Sequence, residues 1–136
     1  HITMANGVLL GGHVVIEEGV GLGGMCGIHH FVTIGRHAFV GALSRVLMDA
    51  PPYLISDGSR GRVRAVNRVG LKRGGFSDEQ IAWLKEAQRL LFFEGLGAED
   101  AFGRLSRRGE IPPEGHVLFQ FLERREQGNL GRANQP

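Results

Sequence analysis

Cysteine occurs once in this 136-residue chain, at Cys26, tryptophan and tyrosine once each, and aromatic residues make up 7% of it. A single thiol builds no disulfide framework. So few rings give little stacking platform for single-stranded nucleic acid, which counts against nucleic-acid binding by the arginine-rich strand described below. No apolar run is long enough to span a bilayer, and no basic-then-apolar leader opens the chain. These absences point to a reducing, cytoplasmic setting. Acidic residues are also scarce from Arg36 to Arg73. There Arg36, Arg45, Arg60, Arg62, Arg64, Arg68, Lys72 and Arg73 face only Asp49 and Asp57, although the formal net charge is +2. Such an imbalance implies an anionic partner.

What the sequence does have is a repeat of six. Met4, Leu10, Ile16, Leu22, Ile28, Ile34, Val40 and Val46 recur at that interval. Two residues before each stands a mostly small apolar set, Ile2, Val8, Val14, Val20, Cys26, Val32 and Ala38, broken only at Ser44. Neither helical periodicity nor strand alternation gives this register. It predicts a β-helix in which each hexad is a short strand plus a turn. Gly11, Gly23, Gly35 and Gly41 follow the buried aliphatic. They mark corners where a side chain or a left-handed backbone would otherwise clash. Cys26 falls on the small inward position and is read as core packing. A short solenoid exposes its ends and faces, so an oligomer is expected.

The chain divides into β-helix coils over 1–47, an extended basic linker and loop over 48–75, and a helical domain over 76–136. His1 is not an initiator residue and the register is already running there, so either upstream coils are missing or Met4 is the start. Pro51 and Pro52 begin a loop-like passage through Tyr53, Leu54 and Ile55 to a turn at Ser56–Ser59. Arginines alternate with apolar residues from Arg60 to Val69, as in an extended strand, and Gly70–Gly75 reads as a loop. Ser77 and Gln80 form a capping box at a helix start, followed by Ile81, Leu84, Ala87, Leu90 and Leu91, with Gly95 as the stop. A second helix carries Ala98, Ala101, Phe102 and Leu105. A third, after Pro112 and Pro113, carries Val117, Leu118, Phe121 and Leu122, and the tail from Gly128 is expected to fray.

Four histidines, His13, His29, His30 and His37, lie within the repeat. Catalytic zinc needs three ligands converging on one point, and His13 and His37, one coil and one extra face apart, should diverge. A lone histidine on a solenoid turn is ordinarily a polar surface residue.

Three stretches carry a resemblance: Gly11-Gly12-His13-Val14; Gly23-Gly24-Met25 leading to His29-His30-Phe31; and Asn67-Arg68-Val69-Gly70-Leu71-Lys72-Arg73-Gly74-Gly75-Phe76-Ser77. With the Pro51-Pro52-Tyr53 link and the helical tail, they resemble the acyl-(acyl carrier protein)–UDP-N-acetylglucosamine O-acyltransferases of lipid A biosynthesis, over the second half of that family's length. The resemblance implies a homotrimer of left-handed parallel β-helices, each followed by a small C-terminal three-helix domain, with active sites between subunits. It implies transfer of a 3-hydroxyacyl chain from acyl carrier protein to the sugar 3-hydroxyl, with no metal or cofactor. The family's general-base histidine lies in a His-x-x-His-Asp motif, which would fall upstream of residue 1, so the chain is expected to be the acyltransferase without that base or, alternatively, a catalytically incomplete trimeric module that binds UDP-sugar and/or acyl carrier protein.

Residue by residue, Gly12 matches the oxyanion donor and His13 a site-lining histidine contacting the sugar nucleotide. His29 matches a second cleft histidine, and its place sixteen residues after His13 suggests that the two stack on neighbouring coils. His30 stands where the family commonly has Gln. Asn67 and Arg73 match residues that hold the UDP part, and Gly74 replaces a frequent second Arg. Ala42 falls near the acyl-length ruler. Arg60, Arg62 and Arg64 are placed to steer an acidic carrier protein.

Overall fold

A computed structural model describes residues 1–128. The expected frayed tail beyond Gly128 lies outside the described residues.

The hexads form short strands: β1 (Thr3–Met4), β2 (Leu9–Leu10), β3 (Val15–Ile16), β4 (Gly21–Leu22), β5 (Gly27–Ile28), β6 (Thr33–Ile34), β7 (Phe39–Val40) and β8 (Arg45–Val46). Thr3 pairs with Gly21 and Gly21 with Phe39, so three hexads make one coil of eighteen residues. The strands stack in parallel on three faces, β1-β4-β7, β2-β5-β8 and β3-β6, as a left-handed β-helix. Both apolar sets point inward. Val20, Cys26, Val32, Ile34, Ala38, Val40 and Val46 are at most 1% exposed. Each fully buried aliphatic contributes roughly 1.5–3 kcal/mol, which sustains coils whose strands are only two residues long. At the open end of the stack Ile2, Met4 and Leu10 remain 42–47% exposed.

The corners are built differently from the expectation. Positive φ occurs at Gly7, His13, Gly19, Met25, Phe31, His37 and Leu43, again every six residues, and not at the glycines that follow the aliphatics. Those glycines answer a contact instead. A Cβ on Gly11 would lie 2.5 Å from the His30 amide nitrogen of the next coil, and Gly23 and Gly35 meet backbone just as closely. The left-handed corner residues knit the coils together, since Phe31 N–H donates to Gly12 O and His37 N–H to Glu18 O. This hydrogen bonding offsets the roughly 1–2 kcal/mol that a non-glycine residue loses in that conformation.

The next passage is strand rather than loop. Its coil is two residues shorter, Pro51 and Pro52 are buried at the corner where a missing N–H costs no ladder bond, and β9 (Leu54–Asp57) pairs in parallel with β7. The chain then reverses into β10 (Arg62–Val66), antiparallel to β9 with a register shift between Val63 and Ala65. The expected loop at Gly70–Gly75 is largely helix, α1 (Arg68–Arg73). Its start is fixed by Asn67, whose side chain accepts from Gly70 N, and Lys72 and Arg73 complement its C-terminal end.

Three helices follow as expected: α2 (Asp78–Gln88), α3 (Ala98–Ser106) and α4 (Pro113–Glu126). Both bonds of the Ser77–Gln80 capping box are present. A π-helical turn over Arg89–Phe93 extends α2 until Gly95, at φ 71°, ends it. Ile81, Leu84, Leu90, Ala101, Leu105, Leu118 and Leu122 pack with Tyr53, Leu54 and Val66 into one core, separate from the aliphatic column of the coils.

Candidate functional site

The three edges of the prism carry different chemistry. One edge is the corner at His13 and Phe31, between the β2-β5-β8 and β3-β6 faces. His13 takes φ 61° and Phe31 φ 65°, and their rings stack at 4.7 Å, 13° from parallel. With eighteen residues per coil, Phe31 and not His29 is the residue below His13. The expected stacking of the two histidines is therefore replaced by a shared corner. His29 and His30 lie beside it, their ring centroids 3.8 Å apart, and His30 meets Phe31 edge-on at 5.8 Å. Nothing in the motif itself marks Phe31 for this place; the signal is the six-residue spacing of the left-handed corners, on which Phe31 falls one coil after His13.

Gly12 is exposed at this corner, and nothing lies within 4 Å of a Cβ built on it. Its carbonyl is occupied by Phe31 N–H, while its own N–H makes no hydrogen bond among the described residues. An open backbone donor beside an imidazole is the arrangement that meets a developing oxyanion and a substrate hydroxyl.

A second edge is the corner at Gly19, His37 and Tyr53. His37 stacks on Tyr53 at 6.1 Å, and both rings meet Phe76 edge-on. Burial lowers the His37 pKa, favouring the neutral ring, and burial raises the Tyr53 phenol to about 12. Beside this column runs a groove of about 700 Å³. Thr3, Phe39 and Ile55 line its sheet side, and Val69, Gly70 and Arg73 its α1 side. Asn67 is 7% exposed and engaged at both ends: Oδ1 accepts from Gly70 N at 3.1 Å, and Nδ2 donates to His37 O at 2.9 Å. It moors α1 to the coil. Arg73 is exposed on the last turn of α1 and forms no ion pair among the described residues, whereas its neighbour Lys72 pairs with Asp78.

Ala42 lies on the third edge, beside Leu43, whose φ is 59°. The predicted site residues thus fall into separate groups: Gly12, His13, His29 and His30 on one edge, Asn67 and Arg73 on another, and Ala42 on the third. One chain does not bring them together. Among the described residues no three His, Cys, Asp or Glu side chains gather as a metal site, and His13 and His37 occupy different corners.

Residues 49–130 match the family described as Udp N-acetylglucosamine O-acyltransferase, Domain 2. The chain belongs to this family. An acyl-(acyl carrier protein)–UDP-N-acetylglucosamine O-acyltransferase of Anaeromyxobacter is 37% identical over 125 residues, 92% of this chain and 49% of the relative. A namesake of Synechocystis is 38% identical over 131 residues, 96% and 47% of the two chains. Among solved structures, the UDP-N-acetylglucosamine O-acyltransferase of Moraxella catarrhalis superposes with a TM-score of 0.81 at 31% identity, over 90% of this chain and 48% of that one. The Acinetobacter baumannii protein gives 0.81 at 35%, over 91% and 48%. The chain spans about half the length of the acyltransferases it matches.

Proposed function

We propose that this chain supplies the C-terminal half of an O-acyltransferase site that moves a 3-hydroxyacyl chain from acyl carrier protein to the 3-hydroxyl of UDP-N-acetylglucosamine, in lipid A biosynthesis in the cytoplasm. The observation that carries the reading is the open Gly12 amide beside His13 in a chain of this family. In this reading the Gly12 N–H donates to the oxygen that becomes negative when the sugar hydroxyl attacks the thioester carbonyl. His13, with His29 and His30 at the same corner, contacts the sugar nucleotide. Arg73 takes a phosphate of the UDP part by a charge-assisted bond, and Asn67 contacts it while holding α1. Ala42 lies along the acyl path.

The two edges that bind the sugar nucleotide meet only if a neighbouring copy faces the first, which supports a homotrimer with sites between subunits. Leu9 and Val15, 70% and 52% exposed on the faces flanking the histidine corner, suit such an interface. The sequence contains no His-x-x-His-Asp motif. We therefore expect this polypeptide to bind UDP-N-acetylglucosamine without turnover, the base belonging to the part of the family's length it does not span. Calorimetry tests this: saturable binding of the UDP-sugar, lost in Arg73→Ala, is the expected result. No binding by the intact chain, or binding indifferent to Arg73, would contradict it.

A further inference from the structure

The basic β9–β10 hairpin is given no role by the residues assigned above. Its turn is set by positive φ at Gly58 and Gly61, and its tip is tied to the last coil by Arg45 N–H to Gly58 O at 3.1 Å and Gly58 N–H to Ser44 Oγ at 3.0 Å. The hairpin is therefore a fixed platform. On it Asp57, Ser59, Arg60, Arg62 and Arg64 line a hollow of about 300 Å³. The Arg64 guanidinium folds back over the turn, 3.4 Å from a Cβ built on Gly58. Arg62 and Arg64, two apart on β10, both border the hollow, and the register shift between Val63 and Ala65 falls at Arg64.

Three guanidinium groups thus share one hollow with a single carboxylate. That carboxylate is already engaged, its Oδ1 accepting from Ser44 Oγ at 2.7 Å and from Gly58 N at 2.8 Å. Four arginines outside the hairpin hold carboxylates, Arg36 with Glu17, Arg89 and Arg108 with Glu86, and Arg104 with Glu94. Arg60, Arg62 and Arg64, like Arg73, form no ion pair within 4 Å among the described residues, although the charge of Arg64 is near enough to help lower the Asp57 carboxyl.

We propose that this hollow is a binding site for a phosphoryl oxyanion, separate from the α1 groove and its Arg73. The volume suits a phosphate group and its water better than the side of a protein, and the planar guanidinium fork matches phosphate oxygens in pairs. The phosphate has two sources, free phosphate or, resting on the acyl transfer proposed above, the phosphopantetheine arm on which carrier proteins hold acyl groups.

The test is an amide NMR titration of the intact chain in about 0.15 M chloride, which screens diffuse charge effects. Gly58 and Gly61 report on the hollow and Gly74 on the neighbourhood of Arg73. Inorganic phosphate should shift Gly58 and Gly61 saturably. Arg62→Ala/Arg64→Ala should weaken that response at least about tenfold, as loss of charge-assisted bonds requires. Arg62→Lys/Arg64→Lys, which keeps the charge, should weaken it less, and Arg73→Ala should leave it intact. Phosphopantetheine binding more tightly than phosphate, with pantetheine silent, would support the prosthetic arm as the source; equal affinities would support free phosphate. Shifts that do not saturate, or that survive the double alanine change, would overturn the proposal. A carrier protein binding equally well without its arm would also overturn it, making the arginines a protein-docking surface.

Discussion

Gly11 and Gly12 are neighbours with opposite requirements, and alanine at each separates scaffold from chemistry. A methyl on Gly11 would sit 2.5 Å from His30 N and 2.8 Å from His30 Cα. Ordinary contact begins near 3.4 Å, so the nearer approach is 0.9 Å too close. The obstructing atoms are backbone, held by the ladder bond from Gly11 N–H to Ile28 O at 2.8 Å, so no side-chain rotation relieves them. Coils must separate at the histidine corner, and the cost belongs at the upper end of the overpacking range, about 3 kcal/mol. At roughly 3–5 °C per kcal/mol for a chain of this size, Gly11→Ala should melt roughly 10 °C below the parent. Gly12→Ala meets nothing and should stay within about 0.5 kcal/mol of it. Melting curves followed by circular dichroism, at one fixed protein concentration because assembly shifts the midpoint, read both. Equal midpoints for Gly11→Ala and the parent would refute the argument from coil spacing.

Asn67→Ala removes both a helix cap and the tie to His37 O, and should cost about 1–2 kcal/mol in denaturant unfolding; Asn67→Asp, which keeps the cap and loses the tie, should fall between. Tyr53 is the one tyrosine in the chain, so absorbance titration reads it alone: half-ionisation is expected near pH 12 when folded and near 10 in denaturant. Because the folded value is raised, the stability it reflects is intact below pH 10 and is lost as pH rises from 10 towards 12. Arg89 and Arg108 beside Glu86 lower its carboxyl to about 2. Its contribution is present above about pH 4.5 and lost as pH falls towards 2, so Glu86→Gln should flatten the acid limb of a stability profile. An unchanged acid limb would show that this exposed ion-pair network contributes nothing.

The β-helix was legible because its pattern is strictly local: every sixth residue must be aliphatic when each coil has three equal sides. The capping box at Ser77 and the faces of α2, α3 and α4 were legible for the same reason. What escaped depends on partners remote in sequence. β9 is a strand because β7 offers it a free edge, and α1 is moored to the coil by Asn67 Nδ2 donating to His37 O thirty residues away. The stack of His13 on Phe31 follows from a coil of eighteen residues, whereas the sixteen-residue spacing of His13 and His29 falls two residues short of a coil. The motifs did identify residues that line corners and a groove. Their spacing along the chain did not reveal that these lie on different edges of the prism.

The site proposed above joins the histidine corner of one copy to the α1 groove of another. Subunit mixing tests it directly. His13→Ala and Arg73→Ala chains, each unable to bind UDP-N-acetylglucosamine alone, are unfolded together in equal amounts, refolded and examined by calorimetry. Random assembly places a native His13 opposite a native Arg73 in about a quarter of the sites, so about a quarter of the parent stoichiometry should return. No recovery in mixed oligomers shown to have formed would contradict a site shared between copies.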